Sequence, residues 1–427
     1  MEKIKVGFFA TQSTITAIEH LRIIGPLSHS NIKLLTGYKD KNEIINIIKE
    51  AQLIIVQRDF PLNFSIFNNI VNLSRLHRKP LVYDIDDNLF VLPENHPDRK
   101  SFAFVNALLP MFYAILAADY VTVPNKKLQQ SLSVLNNIIY VLPNLLDDNI
   151  WSINDPKQQK RKNVIIGYMG GNTHKPDLEL VKSPLMKIKN EFPDLIRFHF
   201  YGIQPPKQLL SYTDTIWTPI KTYQYSDFAE DFQQIDVDFF IAPLIENDFN
   251  RNKSAIKFLE YSSVGAPGIF SNVYPYNETI TNGQNGLLAS SIEEWEAQIR
   301  SLIQNPDLRY KLTKNAQKLV TDKYLMSKNS ELWEETYREI IDRGIIDQKP
   351  NGDSTEIIGS MINQQQEYYV NLNEAIADKK RYIEYLQKDI FNLEQDIKYI
   401  KGEIDTKENE ILSYALSKSW NLTRPFR

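Results

Sequence analysis

Residues 251–267 read RNKSAIKFLEYSSVGAP, and this stretch decides the fold. It follows the apolar run 237–244 (VDFFIAPL), which has the length and composition of a buried strand. Asp248 and Asn250 favour a turn, and Ser254 is placed to cap a helix from 255 to about 263. Gly265 and Pro267 end that helix, and a second short strand (GIFS, 268–271) follows. Free backbone N–H groups at such a helix start attract anions. Arg251, Lys253 and Lys257 bring cations to the same turn, and Glu260 lies one turn beyond Lys257 on the same face. A carboxylate there can grip a ribose diol while the cations and amides hold a diphosphate, which is what a nucleotide-sugar site requires. The same residues also make an ordinary capped helix with a solvated Lys/Glu face, since charged faces are common.

On either side, apolar strand-like runs alternate with helical patterns. Upstream they are 5–10, 32–35, 53–57, 81–85, 120–123 and 138–142, with helical patterns over 41–50, 64–76 and 102–118 and an earlier helix through Leu21. The rhythm restarts at 164–169, 196–201, 216–218, 237–244, 268–270 and 286–289. Strands alternating with helices imply parallel sheets covered on both faces. The expected architecture is therefore α/β, with two doubly wound Rossmann-like domains at 1–148 and 163–347. Residues 149–162, polar and carrying Pro156, read as the linker between them.

Ligands in such sheets sit beyond the carboxyl ends of strands. Three further groups fall there. In GYMGGNTHKPDLELV, Gly170 and Gly171 end a strand and allow close backbone approach, and Asn172, Thr173 and His174 offer compact polar groups just before a helix. The pair is not a G-x-G-x-x-G fingerprint, so nicotinamide binding is not supported. In VYDIDDNLFVLP, Asp84, Asp86 and Asp87 read as strand-end caps and a tight turn, or as oxygen ligands for a divalent metal. His96, in ENHPD, reads as a surface histidine or as a contact to a sugar hydroxyl.

The chain has 427 residues, enough for roughly three domains. Its net charge of −4 provides no global basic field for nucleic acid. With no cysteine, disulfides, thiol catalysis and cysteine-bound metal are excluded, in keeping with a reducing cytosol. The apolar run in MEKIKVGFFATQS is too short for a signal peptide and reads as a first strand. No stretch approaches the roughly 20 apolar residues of a membrane span.

After KPNGDS (349–354) the pattern changes. Ile376, Ile383, Ile390, Ile397, Ile404 and Ile411 recur every seven residues, with Leu372, Leu386, Leu393 and Ile400 on a second seam. The heptads span 356–412 and predict a coiled coil. Isoleucine on one seam and mostly leucine on the other favour a parallel two-stranded coil, with Gln365, Lys379 and Lys407 setting register. A helix packed on its own globular part is the alternative. The tail 413–427 mixes Lys418, Arg424 and Arg427 with Trp420 and Phe426, suited to a membrane interface, to a partner groove, or simply to a frayed end.

From about Val164 to Tyr324 the chain resembles a GT-B glycosyltransferase, similar to glycosyltransferase family 4. The resemblance rests on GYMGGNTHKPDLELV, KSAIKFLEYSSVGAPGIFS, NGQNGLL and NPDLRYKLTKNAQKLV. That family carries two glutamates separated by seven residues. Glu260 matches the second, which implies ribose binding, while Asn252 stands at the first. The resemblance also implies that Lys257 and the amides of Ser254 and Ala255 lie near the diphosphate, that Gly171 sits beneath it, and that Arg251 and Lys253 are candidates for the basic pair. A metal-binding aspartate motif is not required in GT-B enzymes, so no cofactor is expected beyond the nucleotide-sugar substrate.

The expectation is a retaining transferase that acts on a glycan or lipid-linked acceptor in bacterial surface polysaccharide synthesis. It would be cytoplasmic, at the inner face of the plasma membrane, and would oligomerise through its coiled coil. Lys257 and Glu260 are its catalytic candidates, and Asp86, Asp87 and His96 its acceptor-side candidates. A non-catalytic scaffold of the same fold, motivated by Asn252, and a sugar-nucleotide epimerase are the rival readings.

Overall fold

The computed structural model describes residues 3–11, 15–37, 40–157, 162–346 and 352–416. They fall into two compact units, Met1–Gly359 and Ser360–Arg427.

In the first unit, β1 (Ile4–Phe9), β2 (Ile32–Thr36), β3 (Leu53–Gln57), β4 (Leu81–Asp84), β5 (Tyr120–Val123) and β6 (Ile139–Val141) form one sheet. Its order is β2-β1-β3-β4-β5-β6, all parallel. A second sheet holds β7 (Val164–Gly170), β8 (Ile196–Gly202), β9 (Ile216–Thr218), β10 (Phe239–Ala242), β11 (Gly268–Ser271) and β12 (Leu287–Ala289). Its order is β12-β11-β10-β7-β8-β9, again all parallel. Every residue of β3 and of β7 is buried, as expected of central parallel strands with helices on both faces. The two doubly wound sheets are the expected α/β architecture.

Strand order fixes where ligands can enter. The first sheet reverses between β1 and β3, the second between β7 and β10. Loops diverge at such points and leave a crevice at the carboxyl ends of the strands.

Two local departures from the sequence reading have physical causes. The helix after β1 does not stop at Leu21. It begins with a Thr16/Glu19 capping box, passes through a π-helical turn (His20–Ile24) and continues over Gly25–Ser28. The wider turn lets the helix continue up to Pro26 and past it. The stretch 149–157, expected as linker, is anchored by a fully buried Trp151, just after buried Leu145 and Leu146. These residues join one apolar cluster that runs from β1 through Trp151 to Phe232 and Tyr261 of the second sheet's side. Single anchors in extended chain have no period, so they leave no mark in the hydrophobic pattern. Residues 158–161 lie outside the described residues.

The Glu331–Arg343 helix, whose sequence reads as completing the second domain or crossing back onto the first, returns to the first sheet. Trp333 Nε1 donates to the Arg22 carbonyl at 3.0 Å, and Tyr120 Oη to the Gly344 carbonyl at 2.8 Å.

The second unit is the continuation of one helix, Gly352–Leu416. Ile376, Ile383, Ile390, Ile397 and Ile404 are each 43–56% exposed along it. Residues 417–427, most of the expected basic-aromatic tail, lie outside the described residues. No helix among the described residues is long and apolar enough to cross a membrane.

Candidate functional site

Beyond β10 the chain passes through a tight turn (Asn250–Asn252) and enters the helix Ile256–Val264. Ser254 does not cap it. Its Oγ accepts a hydrogen bond from Asn144 Nδ2 at 2.9 Å, and Ala255 takes the N-cap position with no side-chain bond. No side chain therefore caps the first turn, in which the Phe258 amide bonds back to the Ala255 carbonyl at 2.9 Å, and the partial positive charge of the helix start is intact. Gly265 closes the helix in the left-handed conformation at φ 88°, where a Cβ would lie 2.4 Å from the Asp155 carbonyl oxygen.

Lys257 and Glu260 are both buried on this helix. The Lys257 ammonium lies 5.3 Å from the centroid of the Tyr168 ring, at the end of β7. Burial lowers its pKa to about 8, although Asp177 and Glu260 pull the other way. Burial raises Glu260 to about 7, although it accepts from Tyr225 Oη at 3.0 Å and has Lys257 nearby. Two desolvated, oppositely charged groups one turn apart suit a ligand that brings both an anion and hydroxyl donors.

Beside this helix, on the same side of the crevice, lies the turn after β7. A Cβ on Gly170 would sit 2.7 Å from Tyr168 Oη and 3.3 Å from Lys257 Nζ, so this glycine makes room for protein groups. A Cβ on Gly171 would meet nothing within 4 Å. Gly171 is the position where the backbone is bare toward open space. His174 Nδ1 lies 2.8 Å from Asp177 Oδ2, and Asp177 Oδ1 accepts from the Ile245 amide at 2.8 Å. Burial and Lys257 push His174 down to about 4, so the ring is neutral. Because Asp177 accepts the Nδ1 proton, Nε2 is left as an acceptor for a ligand hydroxyl. Asn172 is exposed and does not line the cavity.

Arg251 departs from expectation. It is half-exposed and paired with Glu246 at 3.0 Å and Asp248 at 3.1 Å, outside the crevice. Those acids lie three and five residues back in the sequence, a local signal that the arginine is already neutralised. Asn252 is also committed to structure. It donates to the Asp248 carbonyl at 2.5 Å and accepts from Ser131 Oγ at 2.9 Å.

The wall from the first sheet carries Asp86 and Asp87. Asp86 pairs with Arg58 at 3.0 Å, and Asp87 with Lys253 at 3.4 Å. Asp84, by contrast, is buried against Arg22 at 2.8 Å and belongs to the fold. His96 is not a surface residue. It is buried, Nδ1 accepts from the Asp98 amide at 3.2 Å to cap a short helix, and its ring meets Phe249 edge-on at 5.1 Å. Among the described residues, the histidine and carboxylate atoms close enough to share an ion are those of His29, Asp147 and Asp148, and none of them lines the crevice.

The crevice encloses about 710 Å³ of empty space, its open mouth included. Ala17, Ile18, Leu21, Asp86, Asp87 and Asn144 line it from one side. His174, Leu244, Lys253, Ser254, Lys257 and Tyr276 line it from the other. Sequence reasoning missed Tyr225, Asn144, Asp177 and Arg58. Only Asp177, three residues past His174, was visible as a local pair.

Residues 222–319 match the family described as glycosyl transferases group 1. No curated protein matches the chain. Among solved structures, a sucrose-phosphate synthase from Thermosynechococcus elongatus is similar at TM-score 0.56 and 12% identity, over 79% of this chain and 99% of that one. HepE from Anabaena, in complex with UDP and glucose, is similar at TM-score 0.53 and 13% identity, over 79% and 100%. A glycosyltransferase from Rickettsia africae is similar at TM-score 0.53 and 12% identity, over 79% and 99%. The paired six-stranded parallel sheets give this chain the GT-B fold of these structures, and its residues 222–319 match the group 1 glycosyl transferase family.

Proposed function

We propose that this protein is a glycosyltransferase that moves a sugar from a nucleotide-sugar donor to a glycan or lipid-linked acceptor. The observation that carries the reading is that buried Lys257 and Glu260 stand one turn apart beyond a helix start with no side-chain cap, with Gly170 against Lys257 at the end of β7 and Gly171 bare beside it. Glycosyl transfer needs little covalent help. The leaving diphosphate must be neutralised as the glycosidic bond breaks, and the helix-end amides with Lys257 and Lys253 are placed to do this. Glu260 would hold the ribose diol, and neutral His174 a sugar hydroxyl. In this reading protein groups meet the charge and no metal is given a role. Retention of configuration follows from the family likeness.

HepE is described with UDP and glucose, which makes a UDP-sugar the first donor to try. The heptad seam is proposed to pair with a second copy in parallel. The proposed setting is the cytoplasmic face of the membrane, in surface glycan assembly. Titration with UDP-, GDP- and dTDP-sugars, followed by product analysis with glycan acceptors, tests the reading. Turnover of donor without acceptor would point instead to an epimerase. Absence of any nucleotide binding would favour a scaffold, the alternative motivated by the structural commitment of Asn252.

A further inference from the structure

Asp87 and Lys253 come from opposite walls of the crevice and pair at 3.4 Å. Each is about one-fifth exposed, so the pair is neither dry nor bidentate, and such pairs exchange readily. Asp86, next to Asp87, has a different partner. Arg58 contacts it at 3.0 Å and also holds Asp59 at 2.8 Å, so the guanidinium is occupied twice. Lys253 is therefore the cation that directly neutralises Asp87. Burial and Asp86 push the Asp87 carboxyl above its usual range, and Lys253 acts first among the groups pulling it back.

Lys253 also belongs to the other wall. It precedes the uncapped helix start by three residues, its ammonium lies 4.4 Å from the Phe249 ring centroid, and its charge presses on Lys257. Two lysines that repel each other beside free amides form a better receptor for a dianion than for one carboxylate, because attraction grows with the ligand's charge. A diphosphate bound there competes with Asp87 for the same ammonium.

We propose that Lys253 couples the two substrates: it masks Asp87 until the donor diphosphate draws it away, and Asp87 then receives a hydrogen bond from the acceptor hydroxyl. The inference rests on the glycosyltransferase reading and adds to it a residue for acceptor positioning and an order, donor before acceptor. Asp87 takes part in no covalent step. It also sets a substrate class, because an acceptor end that offers hydroxyls fits the Asp86–Asp87 wall whereas one with a phosphate at the reacting position is repelled.

The test is calorimetric titration of UDP, GDP and dTDP into the full-length protein, with initial-rate kinetics alongside. Asp87→Asn keeps the shape and removes the charge. It should tighten diphosphate binding roughly two- to fivefold, the scale of one semi-exposed ion pair, while raising the acceptor KM or lowering kcat at least about tenfold. Lys253→Gln should weaken diphosphate binding, and adding Asp87→Asn to Lys253→Gln should give no further tightening. Asp87→Ser, read with a thermal melt, guards against a folding defect in the first variant. Unchanged or weaker diphosphate binding in both Asp87 variants, with wild type binding normally, overturns the coupling and leaves the glycosyltransferase reading intact. Failure of wild type to bind any of the three overturns both.

Discussion

Tyr225 donates its hydroxyl proton to Glu260 Oε1 at 3.0 Å, and this buried bond ties the helix Tyr225–Gln233 to the helix Ile256–Val264. It orients the Glu260 carboxylate, and with Lys257 it limits how far burial can raise that carboxylate. Charge, orientation and desolvation of Glu260 are set together.

Glu260 should leave a pH signature. Burial holds its pKa at about 7 in the folded protein, above the ordinary carboxyl value of 4.5, so the folded state keeps the extra proton between those limits. Stability from this group is present below pH 4.5 and lost as pH rises through 7. Glu260→Gln removes that loss and should stabilise the fold above pH 7 by on the order of 2–3 kcal/mol, while abolishing transfer. Thermal melts from pH 5 to 9 check both directions. In wild type the transfer rate should rise with pH around 7, as the carboxylate ionises to receive the ribose hydroxyls. Tyr225→Phe should move that rise to higher pH.

The glycines separate binding from folding. Gly171→Val places its side chain in open space, so the melting temperature should hold while nucleotide binding falls at least about tenfold, because the backbone can no longer be approached. Gly265→Ala meets the Asp155 carbonyl at positive φ and should cost about 1–3 kcal/mol of stability. Melting curves with nucleotide titrations distinguish the two.

His174 depends on Asp177 for its tautomer. Asp177→Asn should release the ring and lower transfer about 10-fold or more, with the larger effect on kcat. Steady-state kinetics against a single donor measure this.

Much of the fold was legible in the sequence, and for a definite reason. Buried parallel strands are short apolar runs, and β3, β5 and β9 fall on the residues that the runs predict. The Lys257/Glu260 face was legible because helical spacing is local. What was not legible depended on partners far along the chain. Ser254 looked like a cap because its competing partner, Asn144, is 110 residues away. Tyr225 reaches Glu260 across 35 residues and belongs to no motif. His96 looked exposed because Phe249, which covers it, lies on the other side of the crevice.

The heptad helix offers its own test. In a parallel pair, Asp389 would face Glu394 of the other copy and Glu403 would face Glu408, two like-charge contacts against the opposite-charge contact of Asp396 with Lys401. Like charges at these flanks oppose association and are screened by salt. Sedimentation equilibrium should therefore show a dimer that tightens from 50 mM to 500 mM salt, about severalfold in Kd. Replacing Ile390 and Ile397 with lysine should yield a monomer that retains transfer.

The central claim is that Lys257 and the bare helix start receive a nucleoside diphosphate. The most direct test is titration of UDP, GDP and dTDP into wild type and Lys257→Ala under identical buffer and salt. Saturable binding of at least one nucleotide to wild type, weakened at least about 100-fold in a folded Lys257→Ala protein, is the predicted result. Equal affinity in both proteins would contradict it.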